Sequence, residues 1–201
     1  MVRRPQRSGS NRRDGILDTA EKLIQHRGFN AFSYADIAAE IGISTASLHY
    51  HFASKAELGR ALIARYAARF TDELARIDAR LPDARARLEA YADLYEGVLQ
   101  EGRFCLCGML AAEYDTLPKP MRDAVIGFFD QNEAWLTHVL EMGQKQGILD
   151  FTSPPADVAR MIMSGLEGAM LVARPYGEVA RFTTAAIQLL MSLSGTVPVD
   201  S

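Results

Sequence analysis

Residues 33–55 have the sequence SYADIAAEIGISTASLHYHFASK, and this stretch decides the fold of the N-terminal part of the chain. Ser33 and Asp36 have the spacing of a capping box, which predicts the start of a short helix. Gly42 ends this helix in a tight turn, and Ser44 begins a second short helix that reaches about residue 52. Two short helices joined by such a turn form a helix-turn-helix.

The side chains that this motif leaves on its surface are short or planar, which suits an approach to base edges and phosphates. The first 60 residues hold nine Lys or Arg and six Asp or Glu, a net charge of +3, whereas the remaining residues have a net charge of −6. Phosphate contacts supply much of the affinity of proteins for nucleic acid. The charge asymmetry therefore favours a polyanion at the N-terminal part, although an ordinary solvated surface would carry the same charges.

Apolar residues recur at helical spacing along nearly the whole chain, which predicts nine helices. Asn11 and Asp14 have capping-box spacing at the start of the first helix, as do Ser54 and Glu57 at the start of a long fourth helix. Ser153, which precedes a proline, is the predicted cap of the eighth helix. No stretch alternates like a strand for more than four residues, so the predicted fold class is all-α.

Three runs of residues resemble the DNA-binding head of the TetR/AcrR family of transcriptional regulators: FSYADIA at 32–38, GIS at 42–44 and LHYHFASKAEL at 48–58. The resemblance covers about residues 11–60, and the length and helix number of the rest agree with it. It implies a disordered basic arm at 1–10, a three-helix DNA-binding head at 11–57, a helical ligand-binding and dimerisation body at 58–195, and a tail at 196–201.

The resemblance also implies which residues meet DNA. Thr45, Ala46 and Ser47 would face the major groove, and His49, where the family usually has Tyr, would make a base or backbone contact that depends on pH. Tyr50, His51 and Lys55 match positions that commonly grip phosphate, and the N-terminal arginines could form an arm along the DNA backbone or in the minor groove. The alternatives are a solvated charge for Lys55, packing for His51, and a merely solubilising tail for the arginines. The predicted DNA-binding residues are Ser33, Tyr34, Ser44, Thr45, Ala46, Ser47, His49, Tyr50, His51, Lys55, Arg12 and Arg13.

A single head of this size buries too little surface for tight site-specific binding, so two heads on a palindromic operator, and hence a homodimer, are expected. The last two helices carry small residues and an apolar, uncharged stripe that favour a four-helix interface between two subunits. The alternative is that the stripe belongs to the core of its own chain. The predicted interface residues are Ser164, Gly168, Phe182, Ala186, Leu189, Leu190 and Leu193.

The body is rich in aromatic residues and methionines, which could line an adaptable cavity for a small, largely apolar inducer, although each is also an ordinary core residue. Glu167 and Glu113 are candidate polar anchors or solvent-exposed acids. The predicted function is a repressor that leaves its operator when the inducer binds. The predicted pocket residues are Tyr66, Phe70, Tyr91, Tyr95, Met109, Phe128, Trp135, Met163, Glu167 and Met170.

Cys105 and Cys107 lie in a segment predicted to be irregular, and a single intervening residue places them poorly for a disulfide. The alternative function is a regulator that senses oxidants or electrophiles through these thiols; buried, inert cysteines are the other interpretation. No acid or oxyanion donor is placed beside them, so an enzyme is not expected. No metal or cofactor motif occurs.

The location of the protein is predicted from two segments. The arginines at the N-terminus are not followed by an apolar stretch, so no secretory signal is predicted. The longest uncharged run, residues 182–199, has only ten apolar residues among its 18, too few for a membrane span. We therefore expect a cytoplasmic protein without a membrane partner.

Overall fold

The computed structural model describes the backbone of residues 6–193 and the side chains from residue 12 onward. Within that part of the chain every regular element is a helix, so the predicted all-α, nine-helix fold is confirmed. Two single 3-10 turns, Tyr114–Thr116 and Arg174–Tyr176, follow α6 and α8. The helices are α1 (Gln6–Arg27), α2 (Tyr34–Ile41), α3 (Thr45–His51), α4 (Lys55–Arg80), α5 (Ala84–Gln100), α6 (Leu106–Ala112), α7 (Lys119–Lys145), α8 (Pro155–Ala173) and α9 (Val179–Met191).

Two predicted helix starts are wrong. α1 already begins at Gln6, so Asn11 lies inside the helix and residues 6–10 of the predicted disordered arm are helical. Residues 1–5 of that arm and the predicted tail at 196–201 lie outside the described residues. α8 begins after Pro154, which occupies the cap position without a side-chain hydrogen bond, so Ser153 is not its cap. The fixed φ of proline stabilises this helix start in place of a hydroxyl.

Two further boundaries differ in detail. The hydroxyl of Ser54 accepts a hydrogen bond from the Glu57 amide at 3.1 Å, as predicted, but the Glu57 carboxylate accepts from the Ala53 amide rather than from Ser54. α6 begins at Leu106, so Cys107 lies on a helix and only Cys105 in the preceding turn. The apolar run from Phe104 to Cys107 is buried, and this burial compensates for the weak local helix signal.

The chain forms two compact units. The first contains residues up to Ala68 together with residues 106–126, which means α1 to α3, the first part of α4, α6 and the start of α7. α1 packs on both α2 and α6. The unit therefore contains a second segment that the predicted head at 11–57 does not include. Its fully buried core includes Ile16, Ile24, Ile37, Leu48, Phe52, Leu58 and Leu62.

The second unit contains residues 69–105 and the chain from Gly127 onward. α8 and α9 pack tightly: a Cβ atom at Gly165 would lie 2.8 Å from Cδ2 of Leu189. α5 packs on both of these helices. Among the described helices, none has the combination of length and apolar content that crossing a bilayer requires. The buried core of this unit includes Leu88, Tyr91, Phe128, Leu136, Ile162, Leu166 and Phe182.

Candidate nucleic-acid interface and effector site

The helix-turn-helix is held by hydrogen bonds at both ends of its turn. The predicted capping box is present: the Asp36 carboxylate accepts from the Ser33 amide at 2.6 Å, and the Ser33 hydroxyl accepts from the Asp36 amide. The hydrogen bonds from Ser33 lower the pKa of Asp36. Gly42 has φ 68°, a left-handed conformation that favours glycine. Ser44 then caps α3 by accepting from the Ser47 amide at 3.2 Å.

α3 presents an uncharged face to solvent. Thr45 and His49 are four residues apart, as are Ala46 and Tyr50, so the four side chains share one side of the helix. All four are exposed, and Tyr50 is 87% exposed. On the opposite side Leu48 is completely buried and fixes α3 against the head. The short side chains let this helix come close to base edges, and the imidazole and phenol offer polar atoms.

His49 is oriented by two contacts. Its ring packs against Tyr34 with 4.8 Å between ring centroids, and its Nδ1 lies 3.3 Å from the carbonyl oxygen of Ala53. With the proton on Nδ1, that nitrogen donates to the carbonyl and Nε2 accepts hydrogen bonds in the neutral ring. Tyr34, a predicted DNA contact, instead donates its hydroxyl to the Phe52 carbonyl at 2.9 Å. Burial, assisted by the charge of Glu57, raises the pKa of Tyr34 to about 12.

Lys55 does not have the phosphate-gripping position that we predicted. Its ammonium donates hydrogen bonds to the carbonyl oxygens of Phe29 and Phe32 and lies 4.5 Å and 4.2 Å from the centroids of their rings. Burial lowers the pKa of Lys55 despite the opposing charges of Glu113 and Asp36. Two carbonyl oxygens and two ring faces in the α1–α2 turn together attract the cation inward.

The other predicted DNA contacts have mixed environments. Ser33 and Ser44 are exposed, but their hydroxyls serve as helix caps. The ring of His51, which is half-buried, stands edge-on to that of Tyr50 at 5.3 Å. The guanidinium of Arg13 lies 4.8 Å from the ring centroid of Phe52. Arg12 and Arg13 are both exposed, and Ser47 is half-buried.

Glu113, a candidate pocket anchor in the sequence, instead binds the α1–α2 turn. Its carboxylate accepts hydrogen bonds from the amides of Phe29 and Asn30. Gly28 has φ 87°, and a Cβ atom there would lie 2.8 Å from Oε1 of Glu113, so the close approach requires glycine. We call Lys55 and Glu113 together the turn clamp. The sequence contains no local sign of it, because Glu113 lies 84 residues after Phe29.

Five of the aromatic residues predicted for the pocket lie in the second unit. The Phe70 ring stands edge-on to those of Tyr91, Tyr95 and Phe128, with centroid distances of 6.0, 6.1 and 5.3 Å. Trp135 is stacked on Tyr91 at 5.5 Å, and its Nε1 donates to the carboxylate of Asp78 at 3.0 Å. Tyr66 and Met109, which we predicted for the same pocket, belong to the first unit.

Glu167 brings a carboxyl group into this apolar environment. Both of its carboxylate oxygens are covered, and neither accepts a hydrogen bond from an N–H or O–H group of the described residues, while the rest of the residue is partly exposed. Burial raises its pKa to about 7, and a hydrogen bond from the Cys105 thiol, which is a weak donor, partly opposes this rise. Met163 and Met170 lie four residues before it and three after it, on the same face of α8.

The polar groups near Glu167 are hydroxyls that already have partners. The hydroxyl oxygens of Tyr91 and Tyr95 are 3.0 Å apart, and Tyr91 also donates to Oδ1 of Asn132 at 3.2 Å. Burial raises the pKa of both tyrosines, and the nearby charge of Glu167 acts in the same direction. Both hydroxyls therefore stay protonated at neutral pH. Of the ten predicted pocket residues, eight lie in this unit: Phe70, Tyr91, Tyr95, Phe128, Trp135, Met163, Glu167 and Met170.

Cys105 and Cys107 are not joined in a disulfide, and both are buried. They belong to different units, Cys105 to the second and Cys107 to the first. Burial limits the access of oxidants and electrophiles to a thiol. The possible redox role of these residues stays a prediction. Across the described residues, no group of three or more His, Cys, Asp or Glu is placed to hold a metal ion.

The predicted dimer stripe on α9 is wrong for four residues. Phe182, Ala186, Leu190 and Leu193 are buried within the protomer, because α9 turns this face toward α5 and α8. Leu189, also predicted, is half-buried beside Gly165. The exposed surface of α8 and α9 retains Ser164 and Gly168 from the prediction and adds large apolar side chains that the sequence pattern did not single out. These are Met161, Leu171, Val172, Ile187 and Met191.

A capped helix-turn-helix on an all-helical body defines the class of the protein as a DNA-binding transcriptional regulator. The family model for bacterial regulatory proteins of the tetR family matches residues 16–62. A second model, the tetracyclin repressor-like C-terminal domain, matches residues 84–189, more than half of the chain. The chain belongs to the TetR family.

Similar proteins agree with this assignment. A TetR-family transcriptional regulator of Agrobacterium tumefaciens has a solved structure that is 35% identical, covers 92% of this chain and 99% of its own, and has a TM-score of 0.90. The transcriptional regulator AcuR of Cereibacter sphaeroides is 29% identical over 75% of this chain and 71% of its own. The transcriptional repressor NemR of Escherichia coli K12 is 28% identical over 81% and 83%. These relatives are regulators and not enzymes.

Proposed function

We propose that the chain is a homodimeric repressor that binds a palindromic operator through α3 and is released by a small, largely apolar effector held in the second unit. The observation that carries this proposal is the exposed, uncharged face of α3, formed by Thr45, Ala46, His49 and Tyr50. Because caps fix α3 on a buried Leu48, that face meets a groove as a rigid surface. Rigidity keeps the entropic cost of recognition low.

Each residue of the face has a distinct task in this proposal. Thr45 and Ala46 bring methyl groups and, for Thr45, a hydroxyl to base edges in the major groove. His49, whose Nδ1 faces the Ala53 carbonyl, offers Nε2 to a base edge. Tyr50, the most exposed of the four, donates its hydroxyl to a phosphate oxygen.

The dimer surface that we propose is the exposed apolar face of α8 and α9. Leu171 and Val172 are each 61% exposed, and Ile187 and Met191 are 50% and 55% exposed. Monomers rarely leave so many large apolar side chains together on two neighbouring helices. A partner that brings the same face completes a four-helix interface around a two-fold axis, which is the symmetry a palindromic operator requires.

The effector is proposed to act from the aromatic cluster of the second unit. Binding can release DNA only if the effector prefers the arrangement of the dimer that fits the operator badly, because equal affinity for both states shifts nothing. Repression rather than activation is supported by the similarity to NemR, which is a repressor.

The test is selection of bound duplexes from random DNA, followed by fluorescence anisotropy with the selected sequence. Thr45→Ala and His49→Tyr should change which sequence is selected, whereas Thr152→Ala, an exposed threonine of the second unit, should leave it unchanged. Failure of the wild-type chain to enrich any sequence over random competitor at low salt would overturn the proposal. Selection of an identical sequence by both head variants would remove α3 from recognition.

A further inference from the structure

We infer that the effector of the second unit is a protonated organic amine, whose ammonium pairs with the Glu167 carboxylate while its carbon skeleton packs on the rings of Tyr91, Tyr95 and Phe70. The inference rests on the proposed function, because it names the chemical class that the same site takes. It starts from two carboxylate oxygens that are fully covered and for which the described residues supply no N–H or O–H donor; only the Cys105 thiol, a weak donor, reaches the carboxylate.

An unsatisfied carboxyl group in a folded interior needs an explanation. Buried polar atoms almost always have a partner, and each one that lacks a partner destabilises the fold. A leucine or methionine at position 167 would avoid this cost on a helix face that already carries Met163 and Met170. Glu167 is therefore best explained by a partner that arrives from outside the chain.

The chemistry around Glu167 selects a cation. An anionic ligand would be repelled by the carboxylate, and the neighbouring Tyr91 and Tyr95 hydroxyls already have partners in each other and in Asn132. The charge of Glu167 acts on Tyr91 and Tyr95, whose rings contact Phe70, and aromatic rings of this kind attract a positive charge. An N–H group is needed as well as a charge, because the Glu167 oxygens have no strong donor among the described residues.

The site has a means of opening. Met163 and Met170 flank Glu167 on α8, and their unbranched side chains adapt to a ligand at low cost. Phe70 is half-buried at the edge of the cluster, and part of Glu167 itself reaches solvent. Binding of a small amine therefore requires these flexible side chains to rotate and uncover the carboxylate.

Binding is coupled to one proton. When Glu167 is protonated, the amine displaces its proton to solvent, and a neutral acid plus an ammonium becomes an ion pair plus a free proton. Affinity for the amine therefore rises with pH up to about 7, the pKa of Glu167, and levels off above it. Tyr91, Tyr95 and Cys105 are the other titratable groups that act on this carboxyl, and both tyrosines stay protonated in that range.

Trp135 allows a direct measurement. It is the only tryptophan of the chain and is stacked on Tyr91, so its fluorescence reports on the cluster. The probes are benzylamine and hexylamine, with benzyl alcohol as the neutral isostere and benzoate as the anion. We expect the amines to bind saturably, and benzylamine to bind about tenfold or more tightly than benzyl alcohol, as expected for a desolvated charge.

Two variants test the role of Glu167. Glu167→Gln should abolish the preference for benzylamine over benzyl alcohol, and Glu141→Gln, an exposed glutamate of α7, should leave it unchanged. Equal binding of benzylamine and benzyl alcohol by the wild-type chain would overturn the inference without any variant. So would the absence of saturable amine binding at millimolar concentration, or a preference that survives Glu167→Gln.

A parallel anisotropy measurement on the selected operator separates this inference from the proposed function. If amines bind through Glu167 but leave operator binding unchanged, the cation site stands and the proposed effector role fails. If only neutral or anionic compounds release the operator, the inference is overturned while the proposed repressor remains. Release by benzylamine that Glu167→Gln abolishes would support both.

Discussion

The carboxyl group of Glu167 makes the stability of the second unit depend on pH. Its pKa is about 7 in the folded chain against 4.5 for an ordinary glutamate. The folded state therefore holds this proton more tightly than the unfolded state does. By linkage, the stabilisation is fully present below pH 4.5 and is lost as pH rises through about 7.

The size of the effect follows from the two pKa values. A shift of about 2.5 units corresponds to about 3 kcal/mol at 25 °C. Glu167→Gln removes the titration and keeps a neutral group of the same shape. We therefore expect the free energy of unfolding of Glu167→Gln, relative to the wild type, to increase by about 3 kcal/mol between pH 4.5 and about pH 8.

The assay is urea unfolding at a series of pH values, followed by the fluorescence of Trp135, which lies in the same unit as Glu167. Glu141→Gln is the control, because its exposed carboxyl should not change the slope with pH. A constant difference between Glu167→Gln and the wild type across this range would refute the reasoning. It would mean that the carboxyl has the same pKa in both states of the chain.

Three further predictions concern the turn clamp and the dimer surface. Glu113→Ala should lower the free energy of unfolding by about 2–4 kcal/mol, because the amides of Phe29 and Asn30 lose their acceptor. Urea unfolding followed by circular dichroism measures this change, and a loss below about 0.5 kcal/mol would contradict the prediction. Ile187→Asp should produce monomers in sedimentation velocity, and a dimer as tight as the wild type would exclude the proposed face. Lys55→Met should leave the salt dependence of operator binding unchanged, because the Lys55 ammonium is hydrogen-bonded to a backbone carbonyl of the head. If the slope of the logarithm of the binding constant against the logarithm of the salt concentration fell by about one, Lys55 would contact a phosphate after all.

The helix-turn-helix could be predicted from the sequence because its signals are local. The Ser33 and Asp36 capping box spans three residues, and Gly42 alone marks the turn through its left-handed conformation. The outward position of Thr45, Ala46 and the residues that follow them derives from helical periodicity once the buried Leu48 is identified.

The environment of Lys55 and Glu113 could not be predicted in the same way. The ammonium of Lys55 reaches a carbonyl 26 residues away, and Glu113 reaches an amide 84 residues away. Such contacts depend on tertiary packing and leave no periodic pattern. Charge and a family motif favoured solvent or phosphate for Lys55, whereas two carbonyls and two rings hold it inside.

The apolar stripe of α9 shows a different limit of sequence analysis. Periodicity identified Phe182, Ala186 and Leu190 as one face of a helix, but it does not tell whether that face packs on its own chain or on a second copy. The structure turns this face inward and leaves Ile187 and Met191 outside. The pattern correctly predicted that this face is buried, but we assigned the burial to a second subunit, whereas the face packs on α5 and α8 of its own chain.

The turn clamp has a consequence for hybrid regulators. Glu113 supplies the acceptor for two amides of the α1–α2 turn, although it lies far beyond this turn in the chain. A chimaera that grafts these helices onto the body of another regulator would leave Phe29 and Asn30 without that acceptor, unless the new body carries an acid at the equivalent place. A chimaera designed to exchange DNA specificity between relatives therefore has to include this glutamate and Gly28, which it packs against, together with the helices that touch the operator.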